Sequence, residues 1–270
     1  MRAGETEANE LAGPRVCLSF AVPMYRPEEI AAVIPCLNEG RTIGSLVSEI
    51  RVYLPNVVVV DDGSSDDTAA EAERNGAEVI RHLSPRGKGA SLRTGFETAL
   101  QNGFAWALAM DGDGQHAPAD IPKFLRAIES SPAAMFVGDR MQNARAMPLV
   151  RRVVNRWMSA TIGAFCGAEI PDSQCGFRLL NLGAWNRIPF SCEHFEIESE
   201  MIVRFLHAGY GLGFVPVQTR YGSECSKIRP LRDTVRWLRW WIGIRNELSP
   251  YAHRRVVQPR YESTPQDATA

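Results

Sequence analysis

An α/β fold, with helices covering both faces of a mostly parallel sheet, is what this sequence predicts, and three observations predict it. Apolar runs of strand length alternate with segments of helical periodicity between residues 30 and 140. Four consecutive valines in NVVVVDDG (56–63) fit a strand buried on both faces. Three of the apolar runs end in polar clusters: PCLNE (35–39), DDGSSD (61–66) and DGDGQH (111–116). Open parallel sheets bind ligands at such strand ends.

In chain order, IAAVIP (30–35) is a short apolar run stopped by proline. RTIGSLVSEIRVYL (41–54) places Ile43, Leu46, Val47, Ile50 and Leu54 at helical spacing. After the valine strand, SDDTAAEAERNG (65–76) opens with helix-start acids and closes on glycine. AEVIRH (77–82) is a strand, and GASLRTGFETALQNG (89–103) a helix ending in Asn-Gly. FAWALAM (104–110) is the next strand and runs directly into the DGDGQH cluster. PADIPKFLRAIESS (118–131) reads as a helix with proline in its first turn, and AAMFVGDR (133–140) as a further strand. Strands separated by helices of this length require crossover connections, hence a parallel sheet. Residues 1–14 and 248–270 read as disordered polar tails, and 15–229 as one domain, divisible near residue 140.

Bulk properties narrow the function. The 270-residue chain carries a formal net charge of −1, so no basic excess exists to neutralise a nucleic-acid backbone. Cys17, Cys36, Cys166, Cys175, Cys192 and Cys225 form no C-x-x-C pair, which suits reduced thiols better than a zinc site or disulfide framework. The acidic start MRAGETEANE is no signal peptide, and VCLSFAVPM (16–24) is too short to span a bilayer. A cytoplasmic protein, possible as a peripheral one on the membrane's inner face, is the expectation.

The cluster after residue 110 admits four readings: a metal clamp, a calcium loop, a dinucleotide turn or an acidic solvated turn. Counting from Asp111, an EF-hand needs glycine sixth and glutamate twelfth, where His116 and Pro122 stand. Gly112, Gly114 and Ala117 fit G-x-G-x-x-A, but the pattern does not follow a first strand, and Asp111 and Asp113 would face the pyrophosphate. Asp111, Asp113 and Gln115 alternate at a strand end and offer hard oxygen donors suited to Mg²⁺ or Mn²⁺ bridging phosphates. Gly112 and Gly114 are expected to clear space for a substrate. SPRGKGAS (84–91) is no P-loop, since His82 stands where the first glycine belongs. It reads as a flexible basic turn whose Lys88 or Arg93 meets a phosphate, or as a solvated helix start.

In this order and spacing, VIPCLNEGRTI, VVVVDDGSSDDT, RGKGASLRTGF and MDGDGQH resemble family 2 glycosyltransferases of the GT-A fold. GDR (138–140), IPDSQCGFRLLN (170–181), FEIESEMIVRFLHAGYGLGFVPV (195–217) and ECSKIRPLRDTVRW (224–237) resemble the branch that makes dolichyl- or polyprenyl-phosphate mannose and glucose. The likeness covers about residues 30–245. It implies a nucleotide-sugar half over 30–140 and an acceptor half over 141–229. It implies that Pro35, Leu37 and Glu39 line the base and ribose pocket, with Leu37 where the family usually carries an aromatic. Asp61 and Asp62 would read base or ribose, and Lys88 and Gly112 would complete the donor site. Asp111, Asp113 and Gln115 would hold the metal, Asp113 foremost. Arg140 and Lys227 would contact donor or acceptor phosphates with help from Arg229. Asp172, Gln174 and Arg178 would lie on the acceptor side, and Glu200 on a helix bordering the sugar.

PLRDTVRWLRWWIGIRN (230–246) reads as an amphipathic helix, running to about 247. Arg232, Arg236 and Arg239 form a basic stripe beside an apolar arc of Leu231, Val235, Trp237, Leu238, Trp241, Ile242 and Ile244, with Trp240 at the boundary. Either the arc lies on an anionic membrane surface or it packs on the domain. Together these features predict a metal-dependent inverting transferase moving sugar from a UDP- or GDP-sugar to a polyprenyl phosphate. A hydroxyl acceptor is the alternative and would require a base among Asp172, Glu196, Glu198 and Glu200. A non-catalytic sugar-nucleotide-binding accessory protein is a second alternative.

Overall fold

The computed structural model describes residues 26–142, 147–220 and 230–248. The two polar tails, except Leu248, which ends a helix, and Lys227 and Arg229 therefore lie outside the described residues. Every strand and helix expected between residues 30 and 140 is present. They are β1 (Ile30–Cys36), α1 (Ile43–Arg51), β2 (Asn56–Asp61), α2 (Thr68–Arg74), β3 (Glu78–Arg81), α3 (Lys88–Gln101), β4 (Trp106–Ala109), α4 (Ile121–Ser130) and β5 (Met135–Asp139). Beyond residue 140 follow α5 (Leu149–Cys166), β6 (Arg178–Asn181), α6 (Leu182–Trp185), α7 (Ile197–His207), β7 (Leu212–Pro216) and α8 (Pro230–Leu248).

All seven strands join one sheet in the order β3-β2-β1-β4-β6-β5-β7. Pairings β3–β2, β2–β1, β1–β4 and β5–β7 are parallel, whereas β6 runs antiparallel between β4 and β5. The two sequence halves thus share a single sheet, stitched by the reversed strand. β1 lies inside it between β2 and β4, and five of its seven side chains, Ile30 to Ile34, are wholly buried. Burial on both faces explains why β1 and β2 read as unbroken apolar runs instead of alternating ones.

The parallel strands β2, β1 and β4 deliver their C-terminal ends side by side, and the loops that follow are tied together. Asn38, the only described non-glycine residue with positive φ (53°), turns the chain out of β1. Asparagine tolerates this left-handed conformation better than most side chains. Its backbone N–H donates to the Ser64 hydroxyl (2.8 Å), and its side-chain oxygen accepts from the Ser65 N–H (2.8 Å). The Thr42 hydroxyl donates to the Gly112 carbonyl (2.9 Å), joining the loop after β1 to the loop after β4.

Helix α5 was not among the elements read from the sequence. It lies against α7 and against α8, where Trp157 meets Trp237 (ring centroids 5.3 Å apart) and Phe165 meets Trp241 (5.4 Å). The apolar arc of α8 is split. Trp237, Trp241 and Ile244 are buried on the domain together with Leu248, while Val235, Leu238 and Ile242 are exposed. Trp237 also donates its indole N–H to the Ser199 hydroxyl (2.9 Å), and Glu247 binds Arg204 through two contacts of 2.9 and 3.1 Å. Arg236, expected in a basic stripe, is turned to Glu196 (3.3 Å) and Asp233 (3.7 Å).

Candidate active site

A cleft of about 1100 Å³ opens over the ends of β1, β2 and β4 and extends to α3, α5 and α7. It exceeds the roughly 300–1,000 Å³ of a pocket for one drug-sized ligand, leaving room for two reactants. Eleven sequence-predicted residues line it: Pro35, Leu37, Glu39, Asp62, Lys88, Asp111, Gly112, Asp113, Gln115, Arg140 and Gln174.

At its floor Lys88, the first residue of α3, holds two carboxylates. Its Nζ lies 2.5 Å from Asp111 Oδ1 and 2.6 Å from Glu198 Oε1, and 5.7 Å from the centre of the Phe195 ring. Burial alone would lower the Lys88 pKa, but the two carboxylates outweigh it and raise the value. Burial would likewise raise Asp111, yet Lys88 and His116 hold its carboxyl well below the ordinary range. The basic turn is therefore neither flexible nor solvated at Lys88, whose side chain is 12% exposed. Arg93 points elsewhere, donating to the Phe190 carbonyl (2.9 Å). The α3 amides of Gly89 and Ala90 are already taken by the Glu193 carbonyl, so they are not available to a phosphate.

Asp111, Asp113 and Gln115 all line the cleft. Asp113 Oδ1 accepts the Gln115 N–H (3.0 Å), bending the chain after β4. The glycines between them have other reasons than the expected substrate approach. A Cβ on Gly112 would come 2.5 Å from Cys36 Sγ, and Gly114 sits at φ +70° with open space around it. Gly176 matters as much, since a Cβ there would lie 2.5 Å from Asp111 Oδ2. His116 is buried, with Nε2 3.6 Å from Asp111 Oδ2 and Nδ1 without a hydrogen-bond partner.

Among the described residues, no group of three His, Cys, Asp or Glu side chains is arranged to hold a metal ion. Two carboxylates and an amide that line the cleft nevertheless offer the hard oxygen donors of a divalent ion that takes its remaining ligands from water and substrate phosphate.

Arg140, directly after β5, also lines the cleft. Its Nε and a terminal nitrogen donate to Asp172 at 2.7 and 3.0 Å. Burial lowers and Asp172 raises the Arg140 pKa, with the carboxylate winning; Asp172, desolvated but paired, is held below the usual carboxylate range. Asp172 also accepts from Asn155 (3.0 Å) and the Gln174 N–H (3.0 Å), and it is wholly buried.

Four predicted site residues do not reach the cleft. Asp61 is wholly buried, accepting the Ser64 N–H (2.8 Å) and facing Arg81 (3.3 Å). Asp172 serves Arg140 from beneath. Arg178 donates only to backbone carbonyls of Cys175 (2.7 Å), Glu198 (2.5 Å) and Ser173 (2.9 Å), so it clamps β6 to α7 instead of facing a ligand. Glu200 accepts the N–H groups of Ser191 and Cys192 and pairs with Arg204 (2.8 Å). On α7 it is Glu198, two positions earlier, that enters the cleft. Asp62 does line the cleft, yet its carboxylate holds the following loop through the Arg86 (2.9 Å) and Gly87 (2.7 Å) amides and His82 (2.7 Å). Lys227 and Arg229 lie outside the described residues.

Sequence reasoning missed Arg151 on α5, together with His194, Phe195 and Thr219. Arg151 had a signal: it follows Pro148, a helix-start proline, in a stretch that holds Arg151, Arg152 and Arg156 and no acid.

Comparison with known proteins gives a consistent picture. The family model described as "Glycosyl transferase family 2" matches residues 31–187. The chain is 29% identical over 223 residues to a UDP-N-acetylglucosamine–dolichyl-phosphate N-acetylglucosaminyltransferase of Methanococcus voltae, covering 74% of this chain and 88% of that one. It is 27% identical over 199 residues to the polyprenol monophosphomannose synthase of Mycolicibacterium smegmatis, covering 68% and 75%. Among solved structures, glucosyl-3-phosphoglycerate synthase from Mycobacterium tuberculosis, in complex with Mn²⁺, uridine diphosphate and phosphoglyceric acid, superposes with a TM-score of 0.59. Identity to it is 20%, over 85% of this chain and 79% of that chain, which speaks for the GT-A fold alone.

Proposed function

The chain belongs to glycosyl transferase family 2, and on that premise we propose an inverting, metal-dependent enzyme that moves a sugar from a UDP- or GDP-sugar to a polyprenyl phosphate. The non-bridging oxygen of the acceptor phosphate attacks the anomeric carbon as the bond to the donor β-phosphate breaks. Negative charge passes to the departing nucleoside diphosphate, so cations on that side lower the barrier.

Asp111, Asp113 and Gln115 are the residues that would hold Mg²⁺ or Mn²⁺, which when bound supplies electrophilic charge for the leaving diphosphate. The chain's own cations do the rest. Lys88 is a cation held between two carboxylates, Arg140 is fixed by Asp172, and Arg151 lines the cleft from α5. Lys88 and Arg140 meet donor phosphate, with Lys227 assisting, and Arg151 meets the acceptor phosphate. Pro35, Leu37 and Glu39 receive the nucleoside, and Asp62 shapes its pocket by holding the Arg86–Gly87 amides.

The acceptor class rests on one observation. Of the four acids that could serve a hydroxyl acceptor as base, Asp172 and Glu200 lie outside the cleft, committed to Arg140 and Arg204. Glu196 does not line it either and faces Arg236, and Glu198 is ion-paired with Lys88 at 2.6 Å. A phosphate monoester, with a second pKa near ~6, is already an oxyanion at neutral pH and needs no base. Names of the archaeal and mycobacterial relatives support the same class.

Purified protein supplied with UDP- and GDP-sugars should glycosylate a short prenyl phosphate and leave the matching prenyl alcohol, a saccharide and 3-phosphoglycerate unmodified. Transfer to any of the latter with an inert prenyl phosphate rejects the proposed acceptor. Binding of sugar nucleotide without transfer to any acceptor favours the accessory-protein alternative.

A further inference from the structure

Among the described residues, all but two of the large hydrophobic side chains left exposed lie on α5 and α8. The two exceptions, Val52 and Leu83, stand singly elsewhere, as scattered surface hydrophobics normally do. On α5, Leu149 (65% exposed), Val150 (76%), Val153 (60%) and Trp157 (47%) fall on one helical face. On α8, Val235, Leu238 and Ile242 do the same at spacings of three and four. The two helices meet where Trp157 touches Trp237 on the inward side of α8.

Charge accompanies the apolar surface. α5 carries Arg151, Arg152 and Arg156 and no acid anywhere along its length, and α8 adds exposed Arg239 and Arg245 beside its own stripe. A folding core does not need this: α5 and α8 already bury Met158, Ile162, Trp237, Trp241 and Ile244 inward. A neutral partner protein would leave the arginines without counter-charge. A bilayer rich in anionic lipid supplies both an apolar depth for valine, leucine and tryptophan and negative head groups for arginine.

We infer that the outer faces of α5 and α8 dock the protein on an anionic bilayer, lying in the interface without crossing it. No described helix is long and apolar enough to cross a membrane. The surface differs from the one the amphipathic pattern of α8 suggests alone: α5 supplies the larger part, and most of the tryptophans of α8 face inward. Arg151, on another side of the same helix, lines the cleft, so docking through α5 sets the bilayer against an element that borders the cleft.

The test uses full-length protein and sedimentation with vesicles of phosphatidylglycerol and phosphatidylcholine, against phosphatidylcholine alone. Wild type should bind the anionic vesicles and lose binding as salt rises, each arginine being worth about fivefold. Val150→Glu/Val153→Glu, at highly exposed positions, should weaken binding at least tenfold while keeping transfer to a water-soluble short prenyl phosphate. Val52→Glu should change neither. Unaltered vesicle binding in the double variant, or no binding by wild type, overturns the assignment. Concentration-dependent dimers abolished by the same double variant, with no vesicle binding, give the face to a second copy and overturn it too. Vesicle binding is read without donor or acceptor, so its failure leaves the acceptor proposal standing. A bound protein that ignores prenyl phosphate fails that proposal alone.

Discussion

Replacing Gly176 by alanine should disable the cleft without removing any of its chemistry. Gly176 precedes β6, and the new Cβ would lie 2.5 Å from Asp111 Oδ2, 2.7 Å from Oδ1 and 2.8 Å from Cγ. Ordinary contact begins at 3.4 Å, so the carboxylate must retreat by about 1 Å. It cannot do so for nothing, because Lys88 grips it at 2.5 Å and His116 stands 3.6 Å away. The Asp111 side chain is 28% exposed, giving it an outward path, so overpacking should cost only about 1 kcal/mol of stability. That corresponds to roughly 2–4 °C in Tm for a domain of this size. Displacing a positioning group by ~1 Å costs on the order of 10²-fold in rate, equivalent to about 2.7 kcal/mol of barrier. The assay is kcat/KM for the sugar nucleotide, with Tm and Mn²⁺-dependent UDP binding measured on the same preparation. A variant that folds normally and retains wild-type kcat/KM refutes the claim that Asp111 must hold this position.

Asp113→Ala should abolish transfer while leaving Tm within a few degrees, since only the Gln115 N–H loses a partner; activity near wild type removes Asp113 from the metal set. Asp172→Ala strands the buried Arg140 charge and should cost about 3 kcal/mol in urea unfolding at pH 7. Because pairing holds Asp172 below its ordinary value of 3.8, its contribution is complete above that pH and is lost as pH falls through the lowered folded-state value. The stability gap between wild type and Asp172→Asn should therefore be flat above pH ~5 and narrow below ~4; a gap independent of pH down to 3 contradicts the pairing. Gly243→Ala, in the exposed interior of α8 with nothing within 4 Å of the new Cβ, should raise stability by about 0.8–1 kcal/mol. A fall in Tm there means that α8 is not helical at Gly243.

The parallel half of the fold was legible because each of its elements has an unambiguous period. Four valines in a row admit only a doubly buried strand, and Ile43, Leu46, Val47 and Ile50 only a helix. Beyond residue 140 the signals conflict. α5 carries Leu149, Val150, Val153 and Trp157 on its exposed face as well as Met158 and Ile162 on its buried one, so no clean apolar stripe marks it. β6 is four residues long, and its first residue is an arginine, which no strand pattern selects. Its reversed direction depends on the β4 and β5 partners it meets, information held by tertiary contacts alone.

Residue type also foretold the cleft better on its strand-end walls than behind them. The loop that follows a parallel strand borders the crevice, which is why Asp111, Asp113 and Gln115, two to six residues past the end of β4, were readable. Aspartate and arginine elsewhere are ambiguous between touching a ligand and holding what touches it. Arg178 illustrates the difference: with no exposure it can bind only its own chain, and three carbonyls use its guanidinium. The same ambiguity divides α8, where tryptophan beside arginine suits a lipid interface and a packed helix pair equally. Burial separates them. Trp237 and Trp241, 3% and 6% exposed, stack on one another and on α5, so the lipid-facing role falls to the valines and leucines that no neighbour covers.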